Sequence, residues 1–336
     1  HSPHGLLATS THDSKRSEDV RARLNVLSEM PDVWHATVQA LQAAGQRFEA
    51  EVDGRRAPLP RDLWSLYQAM VGIWPAHATR TDERQALAQR IQRYMEKALR
   101  EAKLVSNWLF PNEAYEAAMR TYVEKVLSTE GFVSMLEGFV QRIAPWGFRN
   151  SLVQLALKLM SPGVPDIYQG CETWSFSLVD PDNRRPVDLA AMAESLQPLE
   201  ALYQSNSRFP EQADWRRVLG DGPAMPHAAK QLVTWRLLQL RRQRATLFRD
   251  GLYLPLAVDG PAEAHALALA RIAENDAVVV VCGRLFAGLA ASGWGATRVA
   301  LASAHPMLAR ADRWRDWLTG EWLEPADALP LSRVLG

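Results

Sequence analysis

The run from Ser161 to Asp188, SPGVPDIYQGCETWSFSLVDPDNRRPVD, sets the tightest limit on what this chain can fold into. Ser161-Pro162-Gly163 is a turn cluster, and Val164 to Tyr168 then reads as a short extended run. Proline has no N–H for a sheet ladder, so Pro165 belongs at the first residues of that strand or on an edge. The loop that follows gathers Glu172, Trp174, Asp180, Asp182, Asn183, Arg184, Arg185 and Asp188 into seventeen residues. An apolar strand that empties into carboxylates, guanidinium groups and a tryptophan has the make-up of a binding mouth. Aromatic faces stack on sugar rings, and Asp and Arg groups bond hydroxyls. A salt-bridged loop that folds back on itself would use the same residues.

Leu6-Leu7-Ala8-Thr9 reads as a second short, buried strand. Ser10 to Ser17 is a polar strand-end loop, with Ser17 as N-cap and Glu18 and Asp19 in the first helical turn, where the dipole favours acids. The helix runs through Val20, Leu24 and Leu27 to Pro31. From Val33 to about Leu127 the spacing is helical, with apolar faces at Trp34, Val38, Leu41, at Leu63, Leu66, Tyr67, Met70, and at Leu87, Ile91, Tyr94, Ala98, Ala102. Gly45 and the Gly54–Pro58 stretch interrupt it. Glu96 and Arg100 form an i,i+4 pair worth roughly 0.3 kcal/mol. Trp108 and Tyr115 read as core.

Phe132–Ile143 is a helix that Ala144-Pro145 should stop, and Gly147–Met160 is another. Val187–Leu202 and Gln231–Leu247 are helical. On the latter, Arg236, Arg241, Arg242 and Arg244 read as a solvated basic face. Past Gly251 the texture turns to strands at His265–Ile272, Ala277–Cys282 and Arg298–Ala302, and Trp317–Trp322 reads as strand, Thr-Gly turn, strand.

Lys+Arg and Asp+Glu are both 38, and this zero net charge argues against nucleic acid or an anionic membrane as the main partner. Cys171 and Cys282 lie far apart and match no metal spacing, so a reduced, cytoplasmic setting fits them better than a disulfide. No apolar run reaches membrane-spanning length, and the first residues lack the pattern of a secretory signal. Starting at His1, with a His-Asp pair already at position 12, the chain reads as a piece of a longer polypeptide.

Thr11-His12-Asp13 after one apolar strand, and Gly163-Val164-Pro165-Asp166-Ile167-Tyr168-Gln169-Gly170-Cys171-Glu172 at a second, resemble the last two strand-end motifs of the α-amylase superfamily barrel. The closer resemblance is to the maltooligosyltrehalose synthase family. It is carried by Leu7–Arg23, by Lys97-Ala98-Leu99-Arg100-Glu101-Ala102-Lys103 and by Asp180-Pro181-Asp182-Asn183-Arg184-Arg185-Pro186-Val187-Asp188.

The resemblance implies an α/β plus β fold: the C-terminal part of a (β/α)8 barrel, strands 7 and 8, with a large helical insertion and a C-terminal all-β domain. Residues 1–30 would hold strand 7 and its following loop and helix, and 31–144 the insertion. Residues 145–248 would hold strand 8, the mouth loop and the closing helices, and 249–336 the β-domain. The implied reaction is intramolecular. The α-1,4 bond to the reducing-end glucose of a maltooligosaccharide becomes an α,α-1,1 bond, with no metal or organic cofactor. Asp13 matches the third carboxylate of the site, and His12 would bond a hydroxyl of the same sugar. Lys15 and Arg16 would line the acceptor side, and Tyr168, Gln169, Glu172, Asp182 and Arg185 the mouth. The nucleophile and general acid would lie on earlier strands, outside this chain, so its implied partners are maltooligosaccharide and the N-terminal barrel portion. Two strands cannot close a barrel, and the chain alone is expected to be inactive. Another α-amylase-superfamily glucan hydrolase or isomerase, and a non-catalytic scaffold that binds glucan or a partner, stay open as readings.

Overall fold

The computed structural model describes residues 3–205, 227–324 and 327–335, so His1 and Gly336 lie outside it. The chain is mixed α/β, mostly helical with small sheets, and divides into two compact units. His1–Thr11, Phe148–Trp174 and Pro186–Gly336 form the first; His12–Gly147 and Ser175–Arg185 form the second.

The second unit is built from α1 (Glu18–Asn25), α2 (Pro31–Gly45), α3 (Pro60–Ile73), α4 (Thr81–Ala102), α5 (Glu113–Leu127) and the start of α6 (Glu130–Met160). Proline begins α2 and α3, where the first N–H needs no partner inside the helix. The apolar stripes face inward as their spacing predicts: Leu41, Leu63, Leu66, Tyr67, Met70 and Ile91 are essentially inaccessible. Along α4 the stripe continues through Met95 and Leu99, whereas Ala102 is exposed. Tyr67 and Tyr122 share a hydroxyl–hydroxyl bond of 2.7 Å in this core. Gly45 packs so closely on the Tyr122 hydroxyl that a Cβ there would collide with it.

Three expectations fail in this unit. The Gly54 region is not simply a break: Ala50–Val52 and Arg55–Ala57 pair as a hairpin. Asp53 and Gly54 both have positive φ (53° and 71°), the geometry of a tight hairpin turn. Trp108 is not core but 54% exposed, while Tyr115 is buried as expected. Pro145 does not end a helix, since α6 runs unbroken from Glu130 to Met160. A proline inside a helix costs about 3 kcal/mol. Phe132, Val133, Leu136, Val140 and Ile143 before it and Phe148, Leu155 and Leu159 after it are all buried. At about 1.5–3 kcal/mol each, their burial outweighs that cost.

In the first unit, Leu6–Leu7 pairs in parallel with Val164–Pro165, Leu6 opposite Val164 and Leu7 opposite Pro165. The second strand is shorter than the extended run read from the sequence, ending at Pro165. Gly163 makes the pairing possible. Its φ is 127°, and a Cβ would lie 2.8 Å from the Gly5 carbonyl. Lys158, almost fully buried, ties α6 to the segment that follows the first strand through the Thr9 hydroxyl at 2.7 Å.

Helix α7 (Leu189–Ser205) precedes α8 (His227–Gln243) and α9 (Ala245–Asp250). The last two were expected as one helix. The backbone leaves helical geometry at Arg244, with φ −118° and ψ 42°. Half of the basic face is a second correction: Arg242 and Arg244 are exposed as expected, but Arg236 and Arg241 are not. Arg236 is 1% exposed and donates to the Trp317 carbonyl. Arg241 donates to the carbonyls of Leu159 (2.6 Å) and Gly163 (2.9 Å). These two guanidinium groups satisfy backbone oxygens where elements end.

The β part of the unit holds an antiparallel sheet, Leu252–Leu256, Ala266–Ala273 and Asp276–Gly283, with Ala266–Ala273 in the middle. Pro255 lies on the edge strand, where its missing N–H is tolerated. Period-two alternation divides the faces. Ala270 and Ile272 pack with Val299 and Leu301, while Leu269, Val280 and Cys282 pack with Leu155, Leu159 and Leu237. The last hairpin pairs Trp314–Arg315 with Trp322–Leu323, so Trp317 and Leu318 lie in its turn rather than in a strand. Cys171 and Cys282 are buried, and neither is in a disulfide. Among the described residues no helix is long and apolar enough to cross a membrane.

Candidate active site

The chain leaves Leu6–Leu7 and, within six residues, reaches His12 and Asp13 in the second unit. Both side chains are exposed, 54% and 85%, and His12 Nε2 lies 3.2 Å from Asp13 Oδ2. Lys15, also exposed, bonds Glu101 near the end of α4 at 2.5 Å. Arg16 is half-buried and donates to Gln68 Oε1 at 3.1 Å.

Residues 175–185 lie against this loop. Arg16 and Leu178 form an antiparallel bridge, and the Ser17 N–H donates to the Ser177 carbonyl at 2.9 Å. The Ser17 hydroxyl does not cap its own helix. It donates to the Ser175 carbonyl and accepts from the Ser177 N–H. Asp19 is buried rather than lying free in the first turn, and accepts from the Ser175 N–H at 2.7 Å. Asn183 donates its side-chain amide to the His12 carbonyl at 2.8 Å. Behind Asp19, Arg23 donates to the carbonyls of Val71, Gly72 and Trp74 and lies 4.0 Å over the Phe176 ring. Burial pulls the Arg23 guanidinium down to about 9, against the opposing pull of Asp19.

Asp182 is the anchor of the 175–185 segment. Arg90 holds it with two bonds, 2.8 and 2.9 Å, and the Leu178 N–H adds a third at 2.8 Å. Arg185 lies 3.1 Å from its Oδ1 and donates to its carbonyl. Burial alone would raise the Asp182 carboxyl, but the Arg90 fork, the Leu178 N–H and Arg185 outweigh it and hold the group below the usual carboxylate range. Its acceptor sites are occupied by the protein.

Tyr168, Gln169 and Glu172 belong to the first unit. Gln169 is exposed, and Tyr168 and Glu172 are half-buried. One carboxylate oxygen of Glu172 is buried with no hydrogen-bond partner. Trp174, in the same loop, packs on Phe148 with ring centroids 4.8 Å apart. The structure therefore brings His12, Asp13, Lys15, Arg16, Asp182 and Arg185 onto adjoining segments of one unit. Arg90 and Glu101 complete that arrangement and were not singled out from the sequence, while Asp19 and Asn183, read there only as a first-turn acid and a loop residue, join it through the Ser175 N–H and the His12 carbonyl. Of Arg90 and Glu101, only Glu101 carried a signal, inside the Lys97–Lys103 run. Among the described residues no group of three or more His, Cys, Asp or Glu side chains is arranged to hold a metal ion.

No protein-family model matches the chain. A Mycobacterium tuberculosis protein described as a "Putative maltooligosyl trehalose synthase" is 33% identical over 320 residues, 95% of this chain and 35% of that protein. The structure of maltooligosyltrehalose synthase from Arthrobacter ramosus superposes with a TM-score of 0.75 at 31% identity, over 99% of this chain and 37% of that one. This chain is a homologue of maltooligosyltrehalose synthase. It spans little more than a third of the length of the synthases it matches. A further synthase crystal structure agrees, with a TM-score of 0.72 at 29% identity over 98% of this chain and 39% of the other.

Proposed function

We propose that this chain is the C-terminal part of a maltooligosyltrehalose synthase, a cytoplasmic isomerase of trehalose biosynthesis. In this reading Leu6–Leu7 and Val164–Pro165 are strands 7 and 8 of its (β/α)8 barrel. Residues 31–144 are then the helical insertion and 249–336 the C-terminal β-domain. The parallel pairing of those strands supports it, because barrel enzymes carry their chemistry on the loops at the C-terminal strand ends. The observation that carries the reading is the exposed His12–Asp13 pair on such a loop, within a chain similar to synthases along nearly its whole length.

The chemistry is that of a retaining glycosidase turned on its own product. A carboxylate nucleophile attacks the anomeric carbon as a second carboxyl protonates the leaving oxygen, the two lying about 5–5.5 Å apart. The glucose released turns within the pocket and offers its own anomeric hydroxyl. That oxygen loses its proton to the carboxylate that had acted as acid, and displaces the nucleophile. One α-1,4 bond breaks and one α,α-1,1 bond forms, provided water is kept out. Asp13 bonds the ring hydroxyls and favours the oxocarbenium-like transition state. His12 bonds a neighbouring hydroxyl, and Lys15 and Arg16 face the acceptor glucose. Tyr168, Gln169 and Glu172 of the first unit and Arg185 of the second are sugar-binding residues in this reading, and Asp182 serves Arg185 and its loop as a brace, its oxygens already being bonded. The nucleophile and the acid come from the N-terminal barrel portion.

The test is product analysis with maltopentaose. The full-length protein should remove reducing ends and build trehalose ends, whereas this chain alone should do neither. A rise in reducing sugar with the full-length protein would make it a glucan hydrolase. Clear turnover by this chain alone would contradict the placement of nucleophile and acid elsewhere.

A further inference from the structure

The connection between α4 and α5 sets four large apolar side chains in solvent: Leu104 (64% exposed), Trp108 (54%), Leu109 (83%) and Phe110 (79%). The loop that carries them is pinned. Lys103 takes the left-handed conformation that ends α4. Asn107 Oδ1 accepts from the N–H groups of Leu109 (3.0 Å) and Phe110 (2.8 Å). The Ser106 hydroxyl accepts from the Asn112 N–H at 3.0 Å and donates to Glu116 at 2.6 Å. Glu116, itself 2% exposed, holds Arg100 through two bonds of 2.8 Å. The Arg100 guanidinium carbon in turn sits 5.0 Å from the centroid of the Trp108 ring. A cation thus fixes the indole, yet the residue keeps more than half its surface in water. Four large apolar side chains held out in water on one pinned loop mark a binding surface.

Its neighbours select the occupant. Glu101, just before the loop, bonds Lys15 of the Asp13 loop at 2.5 Å, and Lys97 lies 3.8 Å from Glu101 and 3.7 Å from Asp180. An indole held on a guanidinium, on a loop that leaves its helix where Glu101 reaches the Asp13 loop, suits a ligand with a flat apolar face and a rim of hydroxyls. A pyranose ring has both. An apolar protein surface docking there would have to strip water from those charges. We propose that Trp108, with Phe110 beside it, is a stacking platform for a glucosyl unit of an α-1,4-glucan chain whose reducing end occupies the Asp13 site. This rests on the synthase reading above.

The test uses the full-length protein, as Trp108→Ala and Trp108→Tyr, with maltooligosaccharides of increasing length. Trp108→Ala should raise KM by about three- to tenfold for the longest chains, the worth of one aromatic contact. The effect should shrink as the chain shortens and fall mainly on KM rather than kcat, and Trp108→Tyr should restore most of it. The indole fluorescence change on adding maltoheptaose should be smaller in Trp108→Ala than in the parent protein. If KM shifts equally at every length, or if Trp108→Ala lowers the melting temperature and Trp108→Tyr rescues nothing, the loop is a protein-covered surface and the platform is wrong. If the parent protein builds no trehalose ends while the Trp108-dependent fluorescence change persists, the platform stands and the synthase reading falls. If trehalose ends form and neither KM nor fluorescence depends on Trp108, the platform alone falls.

Discussion

Asp13 and Asp182 lie on adjoining loops of one unit, in opposite environments. Asp182 is 9% exposed, accepts from both arms of the Arg90 guanidinium and from a backbone N–H, and pairs with Arg185 at 3.1 Å. Asp13 is exposed, beside His12. A carboxylate whose lone pairs are all bonded can position a loop but has nothing to offer a sugar hydroxyl. A solvated carboxylate at a strand end can exchange water for substrate. In the proposed reading the two loops divide the work: residues 175–185 fix the backbone from which residues 12–16 would act.

The contrast can be tested from its most costly contact down. Arg90→Ala leaves Asp182 buried without its fork, so it should destabilise the chain by about 3 kcal/mol, near the low end for breaking a buried pair. Denaturant unfolding reads this directly. A change under 1 kcal/mol would remove Asp182 as the anchor.

The next test is pH. The folded-state pKa of Asp182 is lowered, so its contribution is fully present above the unfolded value, near 3.9, and is lost as pH falls through the folded value. Stability measured down to that range should fall more steeply in the parent chain than in Asp182→Asn. Parallel curves would mean the carboxylate contributes no linkage. The smallest effect should be Lys15→Met. The Lys15–Glu101 pair is solvent-exposed on the lysine side, and its loss should change stability by no more than about 0.5 kcal/mol. A larger loss would mean that the exposed loop is braced as firmly as the buried one.

Much of the fold was legible because helical spacing and turn chemistry are local. The stripes at Leu63–Met70 and Leu87–Tyr94 and the strands read at His265–Ile272, Ala277–Cys282 and Arg298–Ala302 appear within a residue or two of where those signals place them. What failed depended on partners far away in the chain. Pro145 lies inside a helix because apolar side chains on both sides of it are buried. Arg236 and Arg241 look like a solvated face until Trp317, Leu159 and Gly163 supply carbonyls. Trp108 looks like core by residue type, yet its ring rests on Arg100 at the surface. The same limit applies to the site. Nothing in the composition of the two loops separates Asp13 from Asp182, because Arg90, the residue that makes the difference, lies on a helix 92 positions before Asp182.

The central claim is that the exposed carboxylate acts on the sugar and the buried one holds the loop. Asp13→Asn in the full-length protein tests it most directly, with trehalose-end formation from maltopentaose and thermal unfolding measured on the same sample. The account predicts a loss of turnover of about a hundred- to a thousandfold, the scale of removing one transition-state contact, with an unchanged melting temperature. Near-normal turnover, or a loss of turnover matched by a loss of fold, would contradict it.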